Sequence, residues 1–169
     1  MLFRNRVLLI FPIIQITMNN PKVLFVCIHN SARSQMAEAL MNHLCGNQLE
    51  ASSAGLEPGK LNPLAVEAMK LMGVDIARAQ TKSVFEKFKN HEHFSFVITV
   101  CDETSGERCP LFPGAGKRVH WSFPDPSSFE GTWDDRVQRT VAVRDMIADK
   151  IREWCPTVGT PVDLCDVAV

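Results

Sequence analysis

Val23-Leu24-Phe25-Val26-Cys27-Ile28-His29-Asn30-Ser31-Ala32-Arg33-Ser34 is a short apolar run that ends in a cysteine and passes into a small polar loop. Its first four residues are aliphatic or aromatic on both faces, the pattern of a strand buried inside a parallel sheet. Immediately downstream, Met36, Leu40, His43 and Leu44 recur at helical spacing, and Ser34 has the chemistry of a helix N-cap. The stretch therefore predicts a central strand, a loop and a helix, with the loop at the helix N-terminus.

That placement has chemical consequences. The unpaired N–H groups and the positive end of the helix dipole attract an oxyanion and favour thiolate over thiol, and both effects act on Cys27. Five residues, Ile28, His29, Asn30, Ser31 and Ala32, separate Cys27 from Arg33. A loop of that length can curl so that its amides and the planar guanidinium surround a tetrahedral oxyanion above the sulfur, with Ser34 placed to donate to the thiolate. Cysteine and arginine at this spacing form a weak pattern alone and a specific one between a strand and a helix. The alternative is a buried core cysteine at a strand end.

Outward from this stretch, Leu49 to Gly55 forms a less apolar strand, suited to a sheet edge and ended by Gly55-Leu56-Glu57-Pro58-Gly59. Asn62-Pro63 opens a helix with Leu64, Met69 and Met72 on its core face, closed by Gly73. Thr81 to Phe85 begins a further helical piece, and Phe94 to Val100 is a second strongly apolar strand running into Cys101-Asp102. Arg118 to Phe123 makes a fourth strand that leads into Pro124-Asp125-Pro126, where the prolines hold Asp125 out of regular structure. From Trp133 to about Trp154 a long helix aligns Val137, Val141, Arg144, Ile147, Ala148 and Ile151, with Pro156 after its end.

Strands alternating with helices predict an α/β fold: a three-layer, doubly wound, four-stranded parallel sheet with right-handed crossovers and helices on both faces. Ligands of such sheets bind beyond the carboxyl ends of the strands, which puts Cys27, Cys101 and Asp125 on one edge. The polar stretch from Asp102 to Arg108, without apolar anchors, reads as a loop able to rearrange before Cys109.

At 169 residues, 46% hydrophobic and 22% charged, the chain suits one compact domain. A net charge of −1 recommends no nucleic acid, so an anionic ligand must be held locally. The six cysteines (Cys27, Cys45, Cys101, Cys109, Cys155, Cys165) read as thiols in a reducing, cytoplasmic setting rather than as a disulfide scaffold, with Cys45 and Cys155 incidental. Cys101 and Cys109 are too widely spaced for a zinc knuckle, and neither metal nor cofactor is expected. The opening Met1 to Thr17 carries two arginines and an apolar run but no small-residue cleavage site and too little length to span a bilayer. It reads as an appendage, or as a misplaced start ahead of Met18. The organisation is then 1–20 outside the fold, one domain over 21–156, and a loose tail over 157–169.

Cys27 to Glu38, Ser53-Ala54-Gly55, Gln80-Thr81, Cys101 with Cys109-Pro110, and His120 to Pro126 together closely resemble the thioredoxin-coupled arsenate reductases, which have the low-molecular-weight phosphatase fold. The likeness covers roughly residues 21 to 155. It implies that Cys27 attacks arsenate, that Arg33 and the amides of Ile28 to Ser34 bind the oxyanion, and that Asp125 protonates the leaving oxygen. Cys101 and Cys109 match the relay thiols, and thioredoxin would be the reductant. Two departures stand out. Ala32 replaces a cysteine that many relatives have and the relay does not need. Ser83 replaces an acidic residue that, in relatives, forms a cation site with the counterparts of Asn30, Glu38 and Ser53, which leaves potassium binding open. Competing readings are a phosphatase working through a phosphocysteine with Asp125 as acid and base, a reductase using a small thiol as donor, and a non-enzymatic anion-binding module. The Cys101/Cys109 pair, the Gln35 after Ser34 and the absence of tyrosine favour the thioredoxin-coupled reductase.

Overall fold

The computed structural model describes residues 20–102 and 116–158. The elements follow in the order β1 (Lys22–Cys27), α1 (Arg33–Cys45), β2 (Glu50–Gly55), α2 (Pro63–Lys70), α3 (Val84–Lys89), β3 (Phe96–Thr99), β4 (Lys117–His120) and α4 (Trp133–Val158). Every pairing is parallel and the spatial order is β2-β1-β3-β4, so β1 is interior and β2 an edge, as its weaker apolar character predicts. Val23, Leu24, Phe25 and Val26 are fully buried because both faces of β1 are covered. On one side Val23 and Phe25 join Met36, Leu40, Met69, Ile147 and Ile151 from α1, α2 and α4. On the other, Leu24 and Val26 pack with Ala54, Val97 and Val84 of α3. The three-layer α/β arrangement is thus in place.

Several local expectations shift. Ser34 is not the cap of α1: Ala32 holds that position without a side-chain bond, and Ser34 is buried in the first turn with its hydroxyl engaged elsewhere. His43 faces solvent, and the buried stripe of α1 runs Met36, Ala37, Leu40, Met41, Cys45. On α4 Val143, not Val141, is buried. Pairing of β4 stops at His120, after which Trp121 and Phe123 turn into the core. Trp121 meets Phe25, Phe123 and Trp154 at ring separations of 5.7, 6.4 and 5.8 Å, which anchors the segment leading to Asp125. Helix α4 continues through Pro156 to Val158 instead of ending before it. Pro156 has no N–H to donate to the Arg152 carbonyl, and one residue beyond it the Thr157 hydroxyl donates to the Trp154 carbonyl at 2.6 Å.

The larger correction concerns Cys45 and Cys155, which are joined in a disulfide across a sequence separation of 110. Each continues a buried stripe by one helical turn, Met41 to Cys45 on α1 and Ile151 to Cys155 on α4, and these two helices pack together. Their sulfurs therefore meet inside the core, a register that two separate helical patterns do not disclose. The bond closes a long loop of the unfolded chain. Cys45→Ser is accordingly expected to lower unfolding stability by about 2–4 kcal/mol, measurable by chemical denaturation with and without reductant. A midpoint equal to that of the unaltered oxidised chain would contradict a stabilising bond.

Candidate active site

The loop between β1 and α1 is held from behind by its own carbonyls. Those of Cys27, Ile28, His29 and Ser31 accept from the N–H groups of Leu56, Glu57, Gly59 and Asn62 at 3.3, 2.9, 2.9 and 2.9 Å. In a planar trans peptide the N–H points opposite to the C=O, so the amides of Ile28, His29, Asn30 and Ala32 turn towards the inside of the curl. The Asn30 amide shows this directly, donating to Cys27 Sγ at 3.1 Å. Asn30 takes a left-handed backbone, φ 50°, to make the turn, a conformation asparagine tolerates better than most residues. Gly55 is required by the same close approach, since a Cβ there would stand 2.7 Å from the Ile28 carbonyl oxygen and 2.8 Å from the Asn30 nitrogen.

The fully buried Asn30 side chain organises the floor of the curl. Its Oδ1 accepts from the Lys82 backbone N–H at 2.7 Å and from Gln35 Nε2 at 3.0 Å, while its Nδ2 donates to Ser34 Oγ at 2.9 Å and to Ser53 Oγ at 2.8 Å. A backbone N–H can only donate, which fixes the orientation of the amide. Ser34 thereby accepts from Asn30, and its hydroxyl stands 3.0 Å from Cys27 Sγ, within reach to donate to the sulfur. Gln35 also donates to the Gln80 carbonyl at 2.9 Å, which ties the segment after α2 to the loop.

Arg33 is 5% exposed, and its Nη1 donates to the Phe123 carbonyl at 3.4 Å. Its Nη2 lies 3.2 Å from Asp125 Oδ2. Asp125, in extended backbone between its prolines, uses Oδ1 to accept from the Ser127 N–H at 3.0 Å, opening a single 3-10 turn over Pro126–Ser128. Cation and acid thus converge at the mouth of the loop. Cys101 is fully buried just past the end of β3, where the Val100 N–H donates to the Val26 carbonyl at 2.9 Å, so it stands at the strand end beside that of Cys27. Neither cysteine is in a disulfide. Cys109 lies outside the described residues.

Of the residues singled out in the sequence, the structure brings Cys27, Arg33, Ser34, Asp125 and the amide-bearing loop together and puts Cys101 at the same sheet edge. The role of Ser34 changes from helix cap to partner of the sulfur. Lys82 was not anticipated, because no periodicity marks a residue whose backbone bonds Asn30 and whose side chain reaches Glu38.

Comparison with known proteins gives a consistent result. Residues 22–163 match the family of low molecular weight phosphotyrosine protein phosphatases. An arsenate reductase of Shouchella clausii is 38% identical over 140 residues, 83% of this chain and 99% of that protein, and one of Bacillus subtilis is 36% identical over the same shares. A solved arsenate reductase in a phosphate-binding state superposes with a TM-score of 0.67 at 28% identity, covering 82% of this chain and 98% of the other. A thioredoxin-dependent arsenate reductase of Corynebacterium glutamicum gives 0.60 at 30% identity, over 85% of this chain and 64% of that one.

Proposed function

This chain belongs to the low molecular weight phosphotyrosine protein phosphatase family, on the branch of the arsenate reductases, and we propose that it reduces arsenate to arsenite with Cys27 as nucleophile. Arsenate enters the curl, where the loop amides and Arg33 hold its oxygens. The oxyanion takes the place of Asp125 as partner of Arg33, and Asp125 serves as the acid that carries a proton into the site. Asp125 passes this proton to the departing oxygen as the Cys27 sulfur bonds arsenic. Cys101 attacks the Cys27 sulfur of the adduct, the S–As bond breaks with its electron pair leaving on arsenic as arsenite, and the two thiols are thereby oxidised to a Cys27–Cys101 disulfide. Cys109 then attacks Cys101, freeing Cys27, and thioredoxin reduces Cys101–Cys109 in a cytoplasmic setting. No helix among the described residues is long and apolar enough to cross a membrane.

The observation that carries this reading is the buried Cys101 at the strand end next to Cys27, a thiol that ester hydrolysis has no use for. A phosphatase side activity would use the same Cys27, Arg33 and Asp125. The deciding experiment measures arsenate turnover with thioredoxin, thioredoxin reductase and NADPH, against glutathione or mycothiol. Turnover only with a small thiol would reject the relay, and phosphate ester hydrolysis without arsenate turnover would reject the reductase.

Two further outcomes are expected. Cys27 should be alkylated by iodoacetamide near neutral pH faster than an unstructured thiol, and arsenate or phosphate should protect it; peptide mapping that shows neither would remove the anion site. Asp125→Asn should lower kcat by about 10²–10⁴-fold while phosphate still protects Cys27, whereas unchanged turnover would take Asp125 out of the mechanism.

A further inference from the structure

Glu38 lies on α1 four residues after Ser34, and a lysine covers its carboxylate. Lys82 Nζ stands 3.1 Å from Oε1 and 2.7 Å from Oε2. The Ser53 hydroxyl donates to the same carboxylate. Lys82 also binds through its backbone, its N–H donating to Asn30 Oδ1 at 2.7 Å and its carbonyl accepting from the Gly55 N–H at 2.8 Å. One residue therefore ties together α1, the end of β2 and the Cys27 loop.

The hydrogen bonds beyond Glu38 have a fixed sense. An ammonium only donates, so both Glu38 oxygens accept from it. Ser53 must then give its proton to Glu38 and offer its lone pairs to Asn30 Nδ2. Asn30 in turn donates to Ser34, whose hydroxyl stands 3.0 Å from Cys27 Sγ. The chain of contacts runs from a charged side chain at the surface, one-third exposed, to the buried sulfur, with Glu38 accepting from both sides and the Asn30 amide donating to both.

The resemblance to the arsenate reductases implies a potassium ion held by the counterparts of Asn30, Glu38 and Ser53 with an acidic residue at the place of Ser83. The residues here do not fit that ion. Both Glu38 oxygens are occupied by the ammonium, the Ser53 hydroxyl donates into the same carboxylate, and Ser83 is uncharged, its Oγ accepting from the Phe85 N–H at 3.2 Å at the start of α3. We infer that the Lys82 ammonium is the built-in cation of this chain: a positioning residue that holds Glu38 and Ser53 against Asn30 and so keeps the floor beneath Cys27 in its reactive arrangement, without a monovalent metal. A tethered charge is present at a concentration independent of the medium. The inference rests on the proposed role of Cys27 as nucleophile.

The test follows the rate of Cys27 alkylation at pH 7 by peptide mapping of the full chain, in potassium chloride and in tetramethylammonium chloride of equal ionic strength. Any substitution at position 82 other than proline keeps the two backbone contacts, so Lys82→Met removes only the charge. The unaltered chain should react equally fast in both salts. Lys82→Met should react roughly threefold slower or more, and Lys82→Arg should recover most of the rate. Faster alkylation of the unaltered chain in potassium, or a folded Lys82→Met reacting at the unaltered rate, would overturn the inference, even if that variant melted earlier. Should Lys82→Met not fold, the salt comparison and Lys82→Arg decide: a rate indifferent to potassium and kept by arginine supports the built-in cation, and any other result overturns it. Slow alkylation of the unaltered chain without protection by arsenate would instead defeat the anion site itself, so the two failures are distinguishable.

Discussion

Cys27→Ser is expected to bring arsenate reduction down to the detection floor, a loss on the order of 10⁶-fold if removal of the nucleophile costs what it does in other covalent enzymes. The hydroxyl is a far weaker nucleophile than a thiolate, and it cannot enter a disulfide, so both halves of the proposed cycle stop together. Anion binding should survive. The carbonyl anchors behind the loop and the Arg33 guanidinium do not depend on the sulfur. Isothermal titration with phosphate should therefore give an affinity close to that of the unaltered chain while turnover vanishes. Measurable arsenate turnover with thioredoxin in this variant would exclude Cys27 as the attacking group.

Cys109→Ser is expected to separate chemistry from recycling. Cys101 can still attack the arsenic adduct, so each molecule should release one arsenite and stop as a Cys27–Cys101 disulfide. Both thiols are buried, at 4% and 0% exposure, which keeps such a bond from a protein reductant. Rapid mixing should then show a single burst, peptide mapping should recover the trapped pair, and thioredoxin should not restart the cycle. Full multiple-turnover activity in Cys109→Ser would sink the three-cysteine relay.

Much of the architecture was legible because β1 and its loop carry local signals: a run apolar on both faces, then small polar residues, then helical spacing. The edge position of β2, the capping of α2 by Asn62 and the pairing of β3 beside β1 follow in the same way. What the residues did not disclose arises from long-range register. Cys45 and Cys155 each look like an ordinary helix-end thiol until α1 and α4 are laid together. Ser34 has the composition of a cap but is drawn inward by Asn30 and Cys27, which offer its hydroxyl better partners than the helix end. Lys82 joins Glu38 across 44 residues, a pairing no local pattern encodes. Within the site, Cys27 and Arg33 were readable from their spacing between a strand and a helix, whereas the contact of Arg33 with Asp125 depends on Trp121 and Phe123 packing the fourth strand's exit into the core.

The anchoring of the loop carbonyls by residues 56–62 bears on how freely this site can change over evolutionary time. Oxyanion recognition by peptide N–H groups is indifferent to the side chains those peptides carry. Ile28, His29 and Ser31 can drift, or be chosen by an engineer to reshape the rim, without rewriting the ligand's principal contacts. The constraint falls instead on the groups that shape the curl from behind. Gly55 must stay small to let the loop pass, and Asn30 must keep both its turn and its amide. Alleles that abolish binding should therefore cluster behind the curl, and alleles that retune selectivity on its exposed lip.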